Sequence, residues 1–373
     1  MRIYLIEIFL VFLLWQLRKY KVKSIKNTTN GKNFFLCCCF LMFGMTMALR
    51  KYTVGTDAAT YYRMYQNIAQ SSSLTQALKV SQIPSAIVYV GMHYCITRIV
   101  YFPQLGMFVN SLVIAVGFFE FIKRKSKDYC LSCVLFIGLT LFYESMNGTR
   151  QFMAISLAIN AFAILEKDRK NYKGWLLFIL AVGIHNTIIT FALSYLGVVI
   201  TKRCKNIRKI HSISTLVSVC GAMLFTAGVQ IIVRIFPYYE MYVNGKNPAQ
   251  VFASSGKGRI VILYLILFAV LTAASLLVGK KSKPDGMEAY HFGCTFCLVM
   301  GMIFSKNVLM SRILWPFLAL LVVYLPNLLK QCANIKNRKL LYVISLCLPL
   351  AYSMLHLIED KSGIVPYIPF WQK

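Results

Sequence analysis

Residues 129–165 read YCLSCVLFIGLTLFYESMNGTRQFMAISLAINAFAIL, and this stretch decides the fold class. It contains two apolar runs, 129–144 and 151–165, each approaching the roughly 20 residues that a membrane-spanning helix needs. Four Lys/Arg residues precede the stretch in 123–127, and four follow it in 167–173. Because cytoplasmic segments carry an excess of Lys and Arg, the stretch is predicted to leave the cytoplasm and return to it as two helices.

The composition of the whole chain is typical of a membrane protein. Of the 373 residues, 58% are hydrophobic and 14% are charged, and the mean hydropathy of +0.62 excludes an ordinary soluble protein. The formal charge of +29 would permit nucleic-acid binding, but the basic residues form short clusters between apolar runs and do not form one basic face. Nucleic acid is therefore not an expected partner.

Apolar runs follow one another along the chain. They are 3–17, 34–49, 83–102, 104–122, 129–144, 151–165, 174–200, 212–236, 260–279, 287–305, 312–329 and 340–357. Six basic clusters lie between them, at 18–32, 123–127, 167–173, 202–209, 280–283 and 330–339. If all six are cytoplasmic, an even number of crossings must separate consecutive clusters. To satisfy this parity, 83–102 is predicted to be a re-entrant or surface helix on the outer face, and 174–200 to form a hairpin of two short helices that turns at 185–187.

With these two assignments, the sequence predicts an all-α, polytopic integral membrane protein with about twelve transmembrane helices and both termini outside. Residues 50–82 and 237–259 become large extracytoplasmic loops. No linker, low-complexity tract or internal repeat divides the chain, so 1–373 is predicted to form a single domain.

The segment 50–65, RKYTVGTDAATYYRMY, contains the first candidate site. Asp57, Tyr61 and Tyr65 recur every four residues, which places a carboxylate and two aromatic rings on one face of a helix. Such a face can hold a sugar, whose hydroxyls bind the carboxylate and whose apolar face packs on the rings. The alternative is that Asp57 caps the helix and the tyrosines anchor it at the membrane interface.

Three arginines at the outer ends of predicted helices form the second candidate site: Arg50, Arg150 and Arg312. A guanidinium at such a position can bind a pyrophosphate through paired hydrogen bonds. The alternative is that each side chain reaches phospholipid headgroups at the membrane surface.

His185 lies where the long apolar run must break, and irregular backbone at membrane depth normally lines a cavity. It could act as a general base or donate to an anion, although a lone histidine in such a run is more often a packed residue. The other four histidines have no comparable context. The sequence contains no Walker motif, dinucleotide-binding glycine motif, H-E-x-x-H or outer D-x-D, so no cofactor and no metal are expected.

These motifs, taken together, resemble those of the EpsG family of Wzy-like exopolysaccharide polymerases. The matching elements are R-x-x-x-V-G-T-D-x-x-x-Y (50–61), N-G-x-R-Q (147–151), I-H (184–185), S-R-I (311–313) and P-Y-x-x-F-W (366–371). The G-T-D and G-x-R-Q elements are the most specific. Thr149 stands where a leucine or similar residue is expected, which leaves Arg150 in place.

The resemblance implies a bacterial cytoplasmic-membrane enzyme of GT-C-like architecture that makes exopolysaccharide or capsule. Its substrates would be oligosaccharide repeat units on undecaprenyl pyrophosphate, joined on the outer face of the membrane. Its other partners would be membrane lipid, a chain-length regulator and further polysaccharide-assembly proteins. Carried onto this sequence, the catalytic residues are Asp57, His185 and Arg150, and the substrate-binding residues are Arg50, Tyr61, Tyr65, Gln151 and Arg312.

In the mechanism that follows, an acceptor hydroxyl attacks the anomeric carbon of the donor and inverts it, and undecaprenyl pyrophosphate leaves. Arg150 and Arg312, assisted by Arg50, would neutralise the leaving group, and Asp57 or His185 would take the proton. The main alternative function is a flippase for lipid-linked oligosaccharides, which needs polar groups reaching the membrane midplane. A membrane acyltransferase is a third reading, which the outward position of His185 disfavours.

Overall fold

A computed structural model describes residues 1–21, 28–81, 83, 86–204, 206–235, 257–279, 286–304 and 308–372. The chain is 81% helical and has no β-strand within these ranges, which confirms the predicted all-α class. The chain divides into two compact units, Met1–Ile189 with Ser353–Lys373 and Thr190–Tyr352. Each unit is described separately below.

The described part of the first unit contains ten complete helices. They are α1 (Arg2–Lys21), α2 (Thr28–Leu49), α3 (Ala58–Gln70), α4 (Leu74–Val80), α5 (Ile87–Ile99), α6 (Leu105–Lys125), α7 (Tyr129–Gly138), α8 (Leu141–Asn147), α9 (Thr149–Leu165) and α10 (Tyr172–Ile184). A 3₁₀-helix (Asn186–Ser194) continues into the second unit. There follow α11 (Tyr195–Arg203), α12 (Ile207–Ile235), α13 (Lys257–Leu276), α14 (Ala289–Ile303), α15 (Val308–Gln331) and α16 (Ile335–Ile358), whose last residues return to the first unit.

Within the described residues, five helices are long and apolar enough to cross a membrane. They lie in α2, α6, α13, α15 and α16. The pair α7 and α8, bent by 51°, passes the same test if it is one span, and α9, α10 and α14 are shorter apolar helices. The protein is therefore a multi-pass membrane protein.

Basic clusters meet at one end of the first unit. The ammonium group of Lys125 lies 2.6 Å from a carboxylate oxygen of Glu166, which joins the end of α6 to the end of α9. Lys32, at the start of α2, donates to the carbonyl of Lys123 at 2.8 Å. The three clusters of this unit thus share one end, as the parity argument requires.

The second unit shows the same grouping. Arg208, at the start of α12, donates to the carbonyl of Val278 after α13, at 3.0 Å. The backbone N–H of Ala333, after α15, donates to the carbonyl of Leu277 at 3.0 Å. The basic segments 202–209 and 330–339 therefore lie together at one end of this unit.

Helices α6 and α9 run parallel in close contact. Ser156 donates to the carbonyl of Val113 at 3.4 Å, and Asn160 donates to that of Gly117 at 2.8 Å. Both pairs are separated by 43 residues in the sequence, as two parallel helices in register require. A Cβ atom on Gly117 would lie 2.5 Å from the Cβ atom of Ser156. Small residues thus allow the close approach that is typical of membrane helices, and the first turns of both helices lie opposite the basic end.

The structure changes the predicted breaks around the second motif. The chain bends at Leu139 and Thr140, where Thr140 has a left-handed φ of 61°, and α8 then extends through Asn147. Only Gly148 separates α8 from α9, although 144–151 is predicted to be a polar turn. In the sequence, Gly138 directly precedes the bend and is the last residue of α7.

The structure also bears on the predicted helices in 83–102 and 174–200 and on the two predicted outer loops. Helix α5 has 13 residues, or about 20 Å, and α10 has the same length, so the non-spanning role of 83–102 stays a prediction. The helix is interrupted at His185 as predicted, because α10 ends at Ile184 and the 3₁₀-helix follows; the hairpin of two crossings stays a prediction. The predicted loop 50–82 contains α3 and α4, and most of the loop 237–259 lies outside the described residues.

Gly55 permits the approach of two chain segments. Its φ is +105°, and a Cβ atom there would lie 2.8 Å from the carbonyl oxygen of Met146. Its N–H donates to the carbonyl of Gly363 at 2.7 Å. A side chain at this position would therefore separate segment 50–57 from the end of α8.

We expect Gly55→Ala to lower the free energy of unfolding by about 1–3 kcal/mol, because alanine is strained at this φ and meets the Met146 carbonyl. The measurement is the thermal unfolding midpoint of the purified protein in detergent. Gly91→Ala is the control, since a Cβ atom on Gly91 has no neighbour within 4 Å. Equal midpoints for the two variants would contradict the close approach.

Candidate functional site

The end of the first unit opposite the basic clusters is organised around Arg50. The side chain is 1% exposed, and its guanidinium donates to the carbonyls of Met47 and Met146, the latter at 3.0 Å, and to the hydroxyl of Thr149 at 3.1 Å. Burial lowers the pKa of Arg50 to about 10, so the group is still protonated at neutral pH. Arg50 therefore binds the ends of α2, α8 and α9 to one another.

Asn147 connects the two most specific sequence motifs directly. Its side-chain oxygen accepts from the hydroxyl of Thr56 at 2.6 Å and from the backbone N–H of Asp57 at 3.0 Å. Asn147 is buried at the end of α8, three residues before Arg150. The G-T-D segment and the N-G-T-R-Q segment thus form one structure.

Asp57 and the two predicted sugar-binding tyrosines differ in exposure. Asp57 directly precedes α3 and is half-buried, and its carboxylate makes no capping hydrogen bond to that helix. Tyr61 is half-buried, whereas Tyr65 is 2% exposed, stacks on Tyr101 at 5.8 Å and meets the ring of His93 edge-on. Burial raises the pKa of Tyr65 to about 12. The three residues follow the predicted helical spacing, but Tyr65 faces the protein interior.

Arg150 lies in the first turn of α9 and is half-buried. Its Nε atom is buried and has no hydrogen-bond partner among the described residues. Arg150 and Tyr61 are both close enough to influence the hydroxyl of Tyr89 on α5 electrostatically. Gln151, the next residue, is 4% exposed. A guanidinium with an unused donor therefore lies beside the joined motifs.

His185 and Arg312 complete the set of predicted site residues. His185 follows the last residue of α10, and its Nδ1 atom lies 2.8 Å from the hydroxyl of Thr187. The last turn of α10 packs against α5, where Gly183 meets Val88. Arg312 belongs to the second unit, where its guanidinium lies over the ring of Trp315, 5.8 Å from the ring centre.

Sequence reasoning missed the C-terminal segment as part of this end. The N–H of Lys51 donates to the carbonyl of Ile368 at 2.7 Å, and the N–H of Phe370 donates to that of Leu49 at 2.8 Å. The segment thereby lies along the chain on both sides of Arg50. The aromatic close at 366–371 was the available signal, but it did not reveal these backbone contacts.

His356, which was assigned no role, is also at this end. Its Nε2 atom lies 2.7 Å from the hydroxyl of Ser362, which donates to a carboxylate oxygen of Glu144 at 3.1 Å. The His356 ring stacks on that of Tyr143. This buried chain of polar groups attaches the C-terminal segment to α8.

The arrangement offers a carboxylate, Asp57, and a cation, Arg150, on two segments that Asn147 joins. Such a pair can orient a polar substrate and stabilise a phosphate group. Among the described residues there is no cluster of three or more His, Cys, Asp and Glu side chains that could hold a metal ion.

Comparison with known proteins agrees with the motifs. The family model described as "EpsG family" matches residues 3–368, which is nearly the whole chain. Neither the curated proteins nor the solved structures give a match. Since the match spans the helices of both units and includes every predicted site residue, the chain belongs to the EpsG family, a family of Wzy-like polysaccharide polymerases.

Proposed function

We propose that this protein is an exopolysaccharide or capsule polymerase that joins oligosaccharide repeat units carried on undecaprenyl pyrophosphate. One observation carries the proposal beyond family membership: Asn147 ties the segment bearing Asp57 to the segment bearing Arg150. A glycosyl transfer of this kind needs a base for the acceptor hydroxyl and a cation for the leaving pyrophosphate. The two segments supply one candidate for each.

In this mechanism the acceptor hydroxyl attacks the anomeric carbon of the donor from the side opposite the pyrophosphate and inverts that carbon. The hydroxyl proton goes to Asp57 or His185, and Arg150 stabilises the charge on the leaving pyrophosphate. Arg150 also lies in the first turn of a helix, where backbone N–H groups and the helix dipole favour an anion. Residues Tyr61 and Gln151 lie close by and would position the substrate.

In this proposal Arg50 supports the site from the protein interior and does not contact the substrate. Its guanidinium already donates to two carbonyls and a hydroxyl, so its contribution is to hold the Met146 carbonyl and Thr149 in place next to Arg150. Tyr65 supports α3 by packing its buried ring against the protein interior. Arg312 lies in the second unit, and its expected role in substrate binding stays a prediction from the sequence.

We further propose a single polytopic domain with twelve crossings of the bacterial cytoplasmic membrane, a GT-C-like arrangement, and a metal-independent reaction on the outer face. The grouping of basic segments at one end of each unit supports this topology. The positive-inside rule assigns that end to the cytoplasm and therefore the Arg150 end to the outside. A chain-length regulator and other assembly proteins would meet the polymer there.

Arg150→Ala should abolish long polymer and leave single lipid-linked repeats on the outer leaflet, because the leaving pyrophosphate loses its cation; loss of one such group costs about 10²–10³ in rate. The measurement is the size of lipid-linked saccharides labelled from intact cells of a complemented deletion strain. Arg63→Ala is the matched control, since Arg63 is an exposed arginine on α3. It should leave the polymer unchanged.

Two outcomes would contradict the proposal. Polymer of normal length in Arg150→Ala cells that contain wild-type amounts of the protein would remove Arg150 from the reaction. Repeats trapped on the inner leaflet would identify a flippase.

The topology predicts that a cysteine at position 203, in the basic end of the second unit, reacts with a membrane-impermeant maleimide only after the cells are opened. A cysteine at exposed position 53 should react in intact cells. Both substitutions, Arg203→Cys and Thr53→Cys, are made in a chain whose native cysteines are replaced by serine. Labelling at 203 in intact cells would disprove the break of 174–200 into two crossings.

A further inference from the structure

Three buried side chains form a directed hydrogen-bond chain beside Arg150. His93 on α5 is 0% exposed, and its Nε2 atom lies 2.9 Å from the side-chain oxygen of Asn110 on α6. The amide nitrogen of Asn110 donates to the hydroxyl oxygen of Tyr89 at 3.2 Å. Because the Asn110 oxygen is an acceptor, the His93 nitrogen facing it carries the proton.

This chain leaves one donor unused. The Tyr89 hydroxyl oxygen already accepts from Asn110, so its own proton must point elsewhere. That proton has no acceptor in the part of the chain that the structure describes, although Tyr89 is only 1% exposed. A buried hydroxyl whose proton has no partner in the protein can donate that proton to a bound ligand.

The parallel register of α6 and α9 places Tyr89 near Arg150. Ser156 pairs with Val113 and Asn160 with Gly117, each 43 residues apart, so Arg150 lies at the level of Met107. Asn110 is three residues further along α6, about 4.5 Å along the helix axis. The electrostatic influence of Arg150 on the Tyr89 hydroxyl agrees with this placement.

We infer that the Tyr89 hydroxyl and the Arg150 guanidinium together bind the oxygens of one phosphate group, and that His93 and Asn110 are positioning residues that aim the hydroxyl. The inference rests on the proposed function and adds a second donor to its site. Arg150 is half-buried and carries an unused Nε donor, which adds to the donor of the Tyr89 hydroxyl. The phosphate could come from the lipid pyrophosphate of the substrate or from a phospholipid headgroup.

The test is the affinity of the purified full-length protein for undecaprenyl pyrophosphate, measured from the ligand-dependent rise of the thermal unfolding midpoint. Tyr89→Phe should weaken binding roughly ten- to a hundredfold, because a hydrogen bond to a charged group is lost. Tyr94→Phe is the control on the same helix, since the Tyr94 hydroxyl bonds to the carbonyl of Ser72 instead. It should bind like the wild type.

A second variant tests the aiming of the hydroxyl. In Asn110→Asp, the carboxylate that replaces the amide accepts the Tyr89 proton and turns it away from Arg150. Affinity should therefore fall about as far as in Tyr89→Phe, although Tyr89 is retained. A merely structural role for Asn110 would lower the unfolding midpoint without ligand and leave the affinity unchanged.

Titrations with inorganic pyrophosphate and with phosphatidylglycerol vesicles distinguish the sources of the phosphate. A Tyr89-dependent response confined to the pyrophosphates identifies the substrate, and one to phosphatidylglycerol identifies a headgroup; either supports the phosphate site. If the wild type binds undecaprenyl pyrophosphate and Tyr89→Phe binds it equally well, the inference is wrong and the proposed function stands. If the wild type does not bind it, the proposed function loses its substrate.

Discussion

The buried guanidinium of Arg50 is the interaction on which the Arg150 end of the first unit depends. It lies one residue beyond a membrane-length helix and donates to carbonyls and a hydroxyl from segments up to 99 residues away. Each hydrogen bond from a charged donor contributes about 1.5–3 kcal/mol, and its loss would leave buried carbonyls unpaired. Two of these acceptors, Met146 and Thr149, belong to the last turn of α8 and the first residue of α9. Arg50 therefore positions the start of the helix that bears Arg150.

Other contacts complete this arrangement. Asn147 holds the G-T-D segment from one side, and the C-terminal segment pairs with the backbone around Arg50 from the other. The protein therefore uses its conspicuous polar residues in two ways. Arg50 and Asn147 hold segments of the protein together, whereas the half-buried Arg150 and the Tyr89 hydroxyl are available to a ligand in the proposed site. A phosphate group bound between Tyr89 and Arg150 would accept from both donors.

The sequence predicted the features that depend on composition. Apolar length predicted helices, the basic clusters predicted which helix ends share a side, and parity predicted the break at His185. The sequence did not predict which residues far apart in the chain are in contact. An arginine after a helix can bind a phosphate or a carbonyl, and the partner of Arg50 at Met146 lies 96 residues away. The left-handed φ of Thr140 at the bend is rare for a β-branched residue, and the bond from Ser362 to Glu144 spans 218 residues.

The most direct test of the account is an experimental structure of the full-length protein in lipid nanodiscs with undecaprenyl pyrophosphate bound. The account predicts phosphate density within hydrogen-bond distance of the Arg150 guanidinium, with Arg50 still donating to the Met146 carbonyl. Pyrophosphate bound at the basic end beside Lys125, or Arg50 turned outward to bind it, would contradict the central claim. That claim is that Arg50 holds the helix ends of the site together and Arg150 binds the pyrophosphate.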